Sequence, residues 1–215
     1  MNYRPVDPDL LIDRLADYLA AIEATVRVAI DGAAGIDPDG LAGSLIEPLR
    51  ERSRPAVHVR ADSFWRDASL RLEYGRTDEH SLRHDWLDVA ALRRELLDPL
   101  GPHGNGRYLT SLRDPATNRS TREPTRHAEP GTILLLSGQF LLGQSLPFDR
   151  VIRLSASAAT LTRVTPPDLL WTLPAVTAYE DSVKPSEVAD IDIRLNDPRH
   201  PAIRIRALGS TDPTV

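Results

Sequence analysis

Cysteine is absent from this sequence, which rules out a disulfide framework and any thiolate metal site. The redox compartment therefore has to be judged on other grounds. Lysine is almost absent: Lys184 stands alone, and, histidines aside, every other basic side chain is arginine. No apolar run reaches the roughly 18 residues that a membrane span needs. The opening residues, MNYRPVDPDL, lack a basic region followed by an apolar core. The expected setting is cytoplasmic, with no membrane partner. No basic cluster carries interleaved aromatics, and the net charge is −5, so a nucleic-acid partner is not expected. No internal repeat or low-complexity tract is visible.

What is present suits a folded domain. In 215 residues, 41% are hydrophobic and 27% charged, enough to bury one sizeable core, and residues 1–215 read as a single domain. Asp7-Pro8 marks a helix start, with Leu11, Leu15, Leu19 and Ile22 on one face, predicting a helix over 8–23. Val26 to Ile30 is a buried strand. Pro38 opens a helix whose apolar face carries Leu41, Leu45, Ile46 and Leu49, and Ala56 to Val59 is the next strand. The stretch from Leu70 to Asp85 reads as loop with a short helix, and Asp88 caps a helix over Val89 to Leu97. Arg107 to Leu112 reads as a strand, followed by a turn at Asp114 to Asn118 and a polar return over Arg119 to Thr125. Ile133 to Leu136 and Arg150 to Leu154 are further strands, and Ser157 to Val164 and Asp168 to Asp181 further helices. Ile191 to Leu195 and Ile203 to Ala207 are the last strands, with a frayed tail after Gly209. Strand, glycine turn, helix, strand is the βαβ order, so the expected fold is a three-layer α/β sandwich with a mainly parallel sheet, Val26 to Ile30 central.

The glycine turn carries the chemistry. A phosphate-binding loop has the form G-x-x-x-x-G-K-[ST], in which backbone N–H groups cradle phosphates, the lysine reaches the terminal ones and the hydroxyl holds magnesium. Starting the frame at Gly32 puts Asp37 at the second glycine, Pro38 at the lysine and Asp39 at the hydroxyl, with Gly35 inside the loop and Gly40 just after it. Pro38 removes a cation and an N–H donor together. Asp37 and Asp39 bring negative charge to the place where a triphosphate would add more.

Several short words, in order, resemble the uridine kinase-like nucleoside kinases of the P-loop fold. Asp62-Ser63-Phe64 resembles the D-[SD]-F segment after the second strand, and Asp85-Trp86-Leu87-Asp88 the D-x-P-D-A segment. Leu96 to Leu100, Arg107-Tyr108 and Asn196-Asp197-Pro198 stand where some members carry similar words. The resemblance implies Asp62 as base toward a sugar hydroxyl and Asp88 as sugar ligand, with Asp85, Tyr108, Trp65 and Arg163 about the substrate. The departures gather on the phosphate-donor side. Leu136-Ser137-Gly138 lacks the acid usual before that glycine, and the lid pattern R-x-x-x-R-D keeps Arg163 and Asp168 but has Pro167 at the second arginine. Phosphoryl transfer depends on such cations, so ATP-dependent catalysis is not expected, and neither ATP nor magnesium is assigned as a cofactor.

Each residue also has a plainer reading. Gly32 and Gly35 serve a tight turn, Asp37 and Asp39 favour a helix start, Asp88 is a cap, and Trp65 and Tyr108 fill a wall. Three functions stay open: a degenerate kinase homologue acting by binding a nucleoside-like molecule or a protein; a surviving phosphotransferase in which Arg27, Arg163 or Lys184 replaces the lysine in space; and an enzyme of another class that holds a cation on Asp31, Asp37, Asp39 and Asp62. The expectation for the site is that Asp62, Asp88 and Tyr108 line one pocket. Homo-oligomerisation is left open.

Overall fold

A computed structural model describes residues 3–206. The tail after Gly209 and the final residue of the last predicted strand, Ala207, lie outside these residues.

After a short strand β1 (Arg4–Pro5), the carboxylate of Asp7 accepts from the Asp9 N–H at 3.0 Å and starts α1 (Pro8–Ala20), which buries Leu11, Leu15 and Leu19. The helix stops short of residue 23. At its end and just beyond, the carbonyls of Ala20, Ile22 and Ala24 all turn to the guanidinium of Arg54, which also grips the Gly131 carbonyl. The chain then enters β2 (Val26–Asp31), buried along its whole length. The helix expected from Pro38 divides at Leu45 into α2 (Pro38–Ser44) and α3 (Ile46–Glu51), with Leu45 and Leu49 both fully buried. β3 (Ala56–Arg60) follows, then two short helices, α4 (Ala68–Arg71) and α5 (Glu79–His84), in the polar stretch.

Asp88 caps α6 (Val89–Leu92), which widens into a π turn over Arg93–Leu97, so that adjacent Leu96 and Leu97 are both buried. The strand expected over 107–112 is only β4 (Arg107–Tyr108), and its partner is β5 (Arg126–His127), not the stretch 119–125. The N–H groups that would extend it go elsewhere: Leu109 donates to the Glu95 carbonyl, and Leu112 and Arg113 to that of Ser63. The turn at 114–118 does form, with the Asp114 carboxylate accepting from Ala116 and Thr117. β6 (Ile133–Gly138) and β7 (Arg150–Ser155) lead to α7 (Ala158–Val164), a 3₁₀ turn (Pro167–Thr172), α8 (Leu173–Val183) and α9 (Pro185–Val188). Pro174 sits in the first turn of α8, where no intrahelical N–H is needed. β8 (Ile191–Arg194) and β9 (Ala202–Ile205) complete the sheet.

The main sheet runs β1-β9-β8-β7-β2-β6-β3. β2 is central and parallel to β6 and β7; β3 is parallel to β6 and β8 to β7, while β9 and β1 add an antiparallel edge. The register pairs Asp31 with Gly138 and Arg60 with Ser137. The carboxyl ends of β2, β3 and β6 therefore open at one edge, where such sheets leave a crevice.

Candidate functional site

The loop after β2 is held from both sides. Asp31, with no exposed surface, accepts from the Leu141 N–H at 3.0 Å, from Arg153 Nη1 at 2.7 Å and from the Tyr179 hydroxyl at 3.0 Å. Arg153 is also paired with Glu180. Burial and the Asp31 charge raise the Tyr179 pKa far above its ordinary value, so the phenol stays a proton donor. Asp31 is thus committed to the interior and is not available to a cation in the crevice. A Cβ on Gly35 would lie 2.5 Å from Thr165 Oγ1, so only glycine lets the loop pack against the segment after α7.

In the second half of the loop, N–H groups are satisfied by the loop itself. Ile36 donates to the Ala33 carbonyl at 3.1 Å and Asp37 to that of Ala34 at 3.2 Å. Asp37 adopts the left-handed conformation, φ 51°, and its carboxylate accepts from the Gly40 N–H at 2.9 Å, capping α2. Pro38 has no N–H. Over positions 36–40 this leaves Asp39 alone with an N–H outside these bonds.

Asp39, in the first turn of α2, accepts from the Ser137 hydroxyl and pairs with Arg60 Nε at 3.2 Å. The same guanidinium pairs through Nη2 with Asp62. Ser137 is 2.7 Å from His58 Nε2. Its one hydroxyl proton goes to Asp39, so the imidazole is the donor at Nε2. Burial lowers the His58 pKa despite the nearby carboxylates. Asp62 lies just past β3; burial raises its pKa while Arg60 opposes the rise, and its Oδ1 is buried without a hydrogen-bond partner.

Asp39, Arg60, Asp62 and Ser137 line a cavity of about 250 Å³. Of the residues predicted for the site, Gly32, Asp37, Pro38, Asp39, Asp62 and Trp65 border it. Gly35, in the loop, and Gly40, in α2, are not part of the lining. Asp88 and Tyr108 do not converge on Asp62: the Asp88 carboxylate accepts from the Ala91 N–H at 2.9 Å as the cap of α6, and Tyr108 is buried in the core, 3% exposed. Asp85, whose N–H closes α5 on the Ser81 carbonyl, is also outside the cavity lining. Arg163 is exposed and donates to the Asn196 carbonyl at 3.3 Å. The expected substitutes for the lysine fare similarly. Arg27 lies toward the amino end of β2, bound to Asp149 at 2.8 Å, and Lys184 terminates α8. Among the described residues no group of three or more His, Asp or Glu is arranged to hold a metal ion, so the four-carboxylate cation site is not assembled.

Sequence reading missed Arg60. Its signal was proximity alone: Arg60 is the last residue of β3 and stands two before Asp62, which lies in the 3₁₀ turn that follows. Trp65 is braced from behind: its ring meets Trp86 edge-on at 5.0 Å, and the buried Arg71 guanidinium lies 4.8 Å from one ring and 4.9 Å from the other.

Known proteins add to this at the level of fold. No family model matches the sequence, and no curated protein does. Three solved structures are similar. A possible uridine kinase from Bacillus stearothermophilus shares 20% identity, with 84% of this chain and 96% of that one covered and a TM-score of 0.68. A protein proposed as a fructose transport system kinase, from Silicibacter sp. TM1040, shares 20% identity over 83% and 94% of the two chains, TM-score 0.59. The YGR205w protein shares 12% over 93% and 98%, TM-score 0.57. The architecture is P-loop kinase-like. At such identities the likeness concerns the P-loop kinase-like fold, with its mixed, largely parallel sheet flanked by helices. Among the described residues no helix is long and apolar enough to cross a membrane.

Proposed function

We propose that this chain is a degenerate relative of the uridine kinase-like proteins that binds a small, nucleoside-like molecule in the crevice and does not transfer phosphate from ATP. The observation that carries the reading is the closure of the loop's second half, residues 36–40, on itself. A triphosphate needs successive free N–H donors, and here the N–H groups of Ile36, Asp37 and Gly40 are taken inside the loop while Pro38 offers none. The residues do not fit MgATP on charge either. Asp39 replaces the metal-holding hydroxyl and is already paired with Ser137 and Arg60. A phosphate approaching either loop carboxylate meets about 1 kcal/mol or more of repulsion per close pair, even when well solvated. Arg60, the cation nearest the loop carboxylates, is divided between Asp39 and Asp62.

Calorimetric titration of ATP with magnesium and with manganese, beside a phosphate-release assay, tests this. No binding is expected for the native chain, with affinity appearing once Asp37→Gly, Pro38→Lys and Asp39→Ser are combined. Micromolar affinity with turnover abolished by Asp39→Ala would overturn the proposal, because the carboxylate would then be serving as a metal ligand.

A further inference from the structure

We propose that His80 and His84 form a two-imidazole site on α5 for a divalent transition-metal ion of the class that prefers nitrogen ligands: nickel, copper or zinc. The two residues stand four apart on the helix, the spacing that places side chains on one face and at which paired helical histidines chelate zinc. Their rings converge, with centroids 4.6 Å apart and planes inclined at 42°. Both residues are exposed. Among the described residues, the histidine ring bonds are those of His58 to Ser137, His127 to the Ala128 carbonyl and His200 to Asp197. The ring nitrogens of His80 and His84 are thus left open to a ligand from solvent.

The pair stands on a fixed base although α5 is short. The Asp78 carboxylate accepts from the Ser81 N–H at 2.7 Å, the Ser81 hydroxyl donates to the Arg71 carbonyl at 3.0 Å, and Arg83 Nη2 donates to Ser182 Oγ on α8 at 2.8 Å. Leu82, two residues from each histidine, projects about 200° away around the helix; it is buried and lines the crevice cavity. The inner face of α5 is therefore packed and the outer face carries the two imidazoles, so an ion finds them already in position. A metal ion needs the imidazoles neutral. Partial burial, the Arg83 charge and His80 lower the His84 pKa, with Asp85 opposing, so at neutral pH the His84 ring has a lone pair to give. No third His, Asp or Glu joins the pair in a cluster among the described residues, so the protein supplies two ligands and water the remainder. Imidazole suits zinc, copper and nickel, whereas magnesium and calcium take oxygen ligands. Neither histidine borders the crevice cavity, so the site is independent of the small-molecule reading.

The test is calorimetric titration of the full chain, free of any histidine tag, with nickel, copper, zinc and magnesium chlorides at neutral pH. Saturable binding of nickel, copper and zinc is expected, copper tightest, with none of magnesium. His80→Asn and His84→Asn are each expected to weaken nickel binding about tenfold or more, because the second imidazole closes on the ion intramolecularly and either change removes that gain. His103→Asn, at an exposed position with no ring partner among the described residues, is expected to leave the affinity unchanged. Proton NMR with substoichiometric nickel is expected to broaden the ring signals of His80 and His84 before those of the other histidines. Nickel affinity unmoved by either substitution overturns the proposal, as does magnesium binding as tightly as nickel, or no saturable nickel binding at all. The comparison of nickel with magnesium is made on the native chain, so it does not depend on how a variant folds.

Discussion

Arg27 stands in the interior with only 7% of its surface exposed, and its guanidinium grips Asp149 through two hydrogen bonds, Nε to Oδ2 at 2.9 Å and Nη2 to Oδ1 at 2.8 Å. Its backbone N–H donates to the same carboxylate at 2.8 Å. Burial alone raises the Asp149 pKa, but these bonds and the Arg27 charge outweigh it and hold the group below the ordinary carboxylate value. A carboxylate whose folded pKa is depressed stabilises the fold above its unfolded value, about 3.9, and that contribution disappears as pH falls through the folded value. Asp149→Asn is therefore expected to cost about 2 kcal/mol at pH 7. That is below the range for a fully buried pair, because a third of the Asp149 side chain is exposed. The gap between native and variant chains, read from urea unfolding at a series of pH values, is expected to narrow below about pH 4. A constant gap would mean that the pair contributes through shape and not through charge.

In the loop and α2, two glycines in similar sequence surroundings meet opposite environments. Gly35 faces Thr165, whose backbone atoms would lie 3.0 and 3.1 Å from an added Cβ, whereas Gly43 in α2 has nothing within 4 Å of the same position. Backbone cannot yield as a flexible side chain does, so Gly35→Ala is expected to destabilise by about 1 to 3 kcal/mol through overpacking. Gly43→Ala, in an open helical position, is expected to be neutral or to stabilise by up to about 1 kcal/mol. Thermal unfolding of the two variants side by side checks this, and equal effects would show that the loop is not wedged against the segment after α7. The same packing bears on the proposed function, because a loop held by Thr165 and capped by Asp37 keeps the Ile36, Asp37 and Gly40 N–H groups turned into the loop.

Across the whole molecule, the buried ionic network joins parts far apart in sequence. Asp31 at the end of β2, Arg153 on β7, Tyr179 and Glu180 on α8, and the turn at Leu141 and Leu142 meet in one place beneath the crevice. The Tyr179 hydroxyl donates to Asp31 and accepts from the Leu142 N–H at 3.1 Å. Tyr179→Phe deletes both bonds; Asp31 keeps Leu141 and Arg153, but the Leu142 N–H is left unmet in the interior. A loss of about 1 to 3 kcal/mol in unfolding free energy is expected, with faster hydrogen exchange at Leu142 and little local change at Val28 and Ile30 in the centre of β2. Unchanged exchange at Leu142 would show that the turn is held by its other contacts.

The sequence by itself determined the elements whose signals are local. The proline and aspartate starts of α1 and α6, the apolar runs of β2 and β6, and the glycine turn after β2 depend on neighbours a few residues away, so dihedral preference and periodicity were sufficient to read them. The parallel order followed too, because a strand, a helix and a second strand return with one handedness. Tertiary structure alone decided which charges meet. Asp31 is partnered by groups 110 to 148 residues distant, and Asp39 meets Ser137 only because α2 packs beside β6. Asp88 and Tyr108 matched the expected words in order, yet local capping took the first and core packing the second. Arg60 has Asp62 beside it in the chain, but it meets Asp39 only because β3 and α2 both pack against β6. A motif records which residues exist at which spacing, whereas strand order and packing set the distances, and the electrostatics of the site depends on those distances.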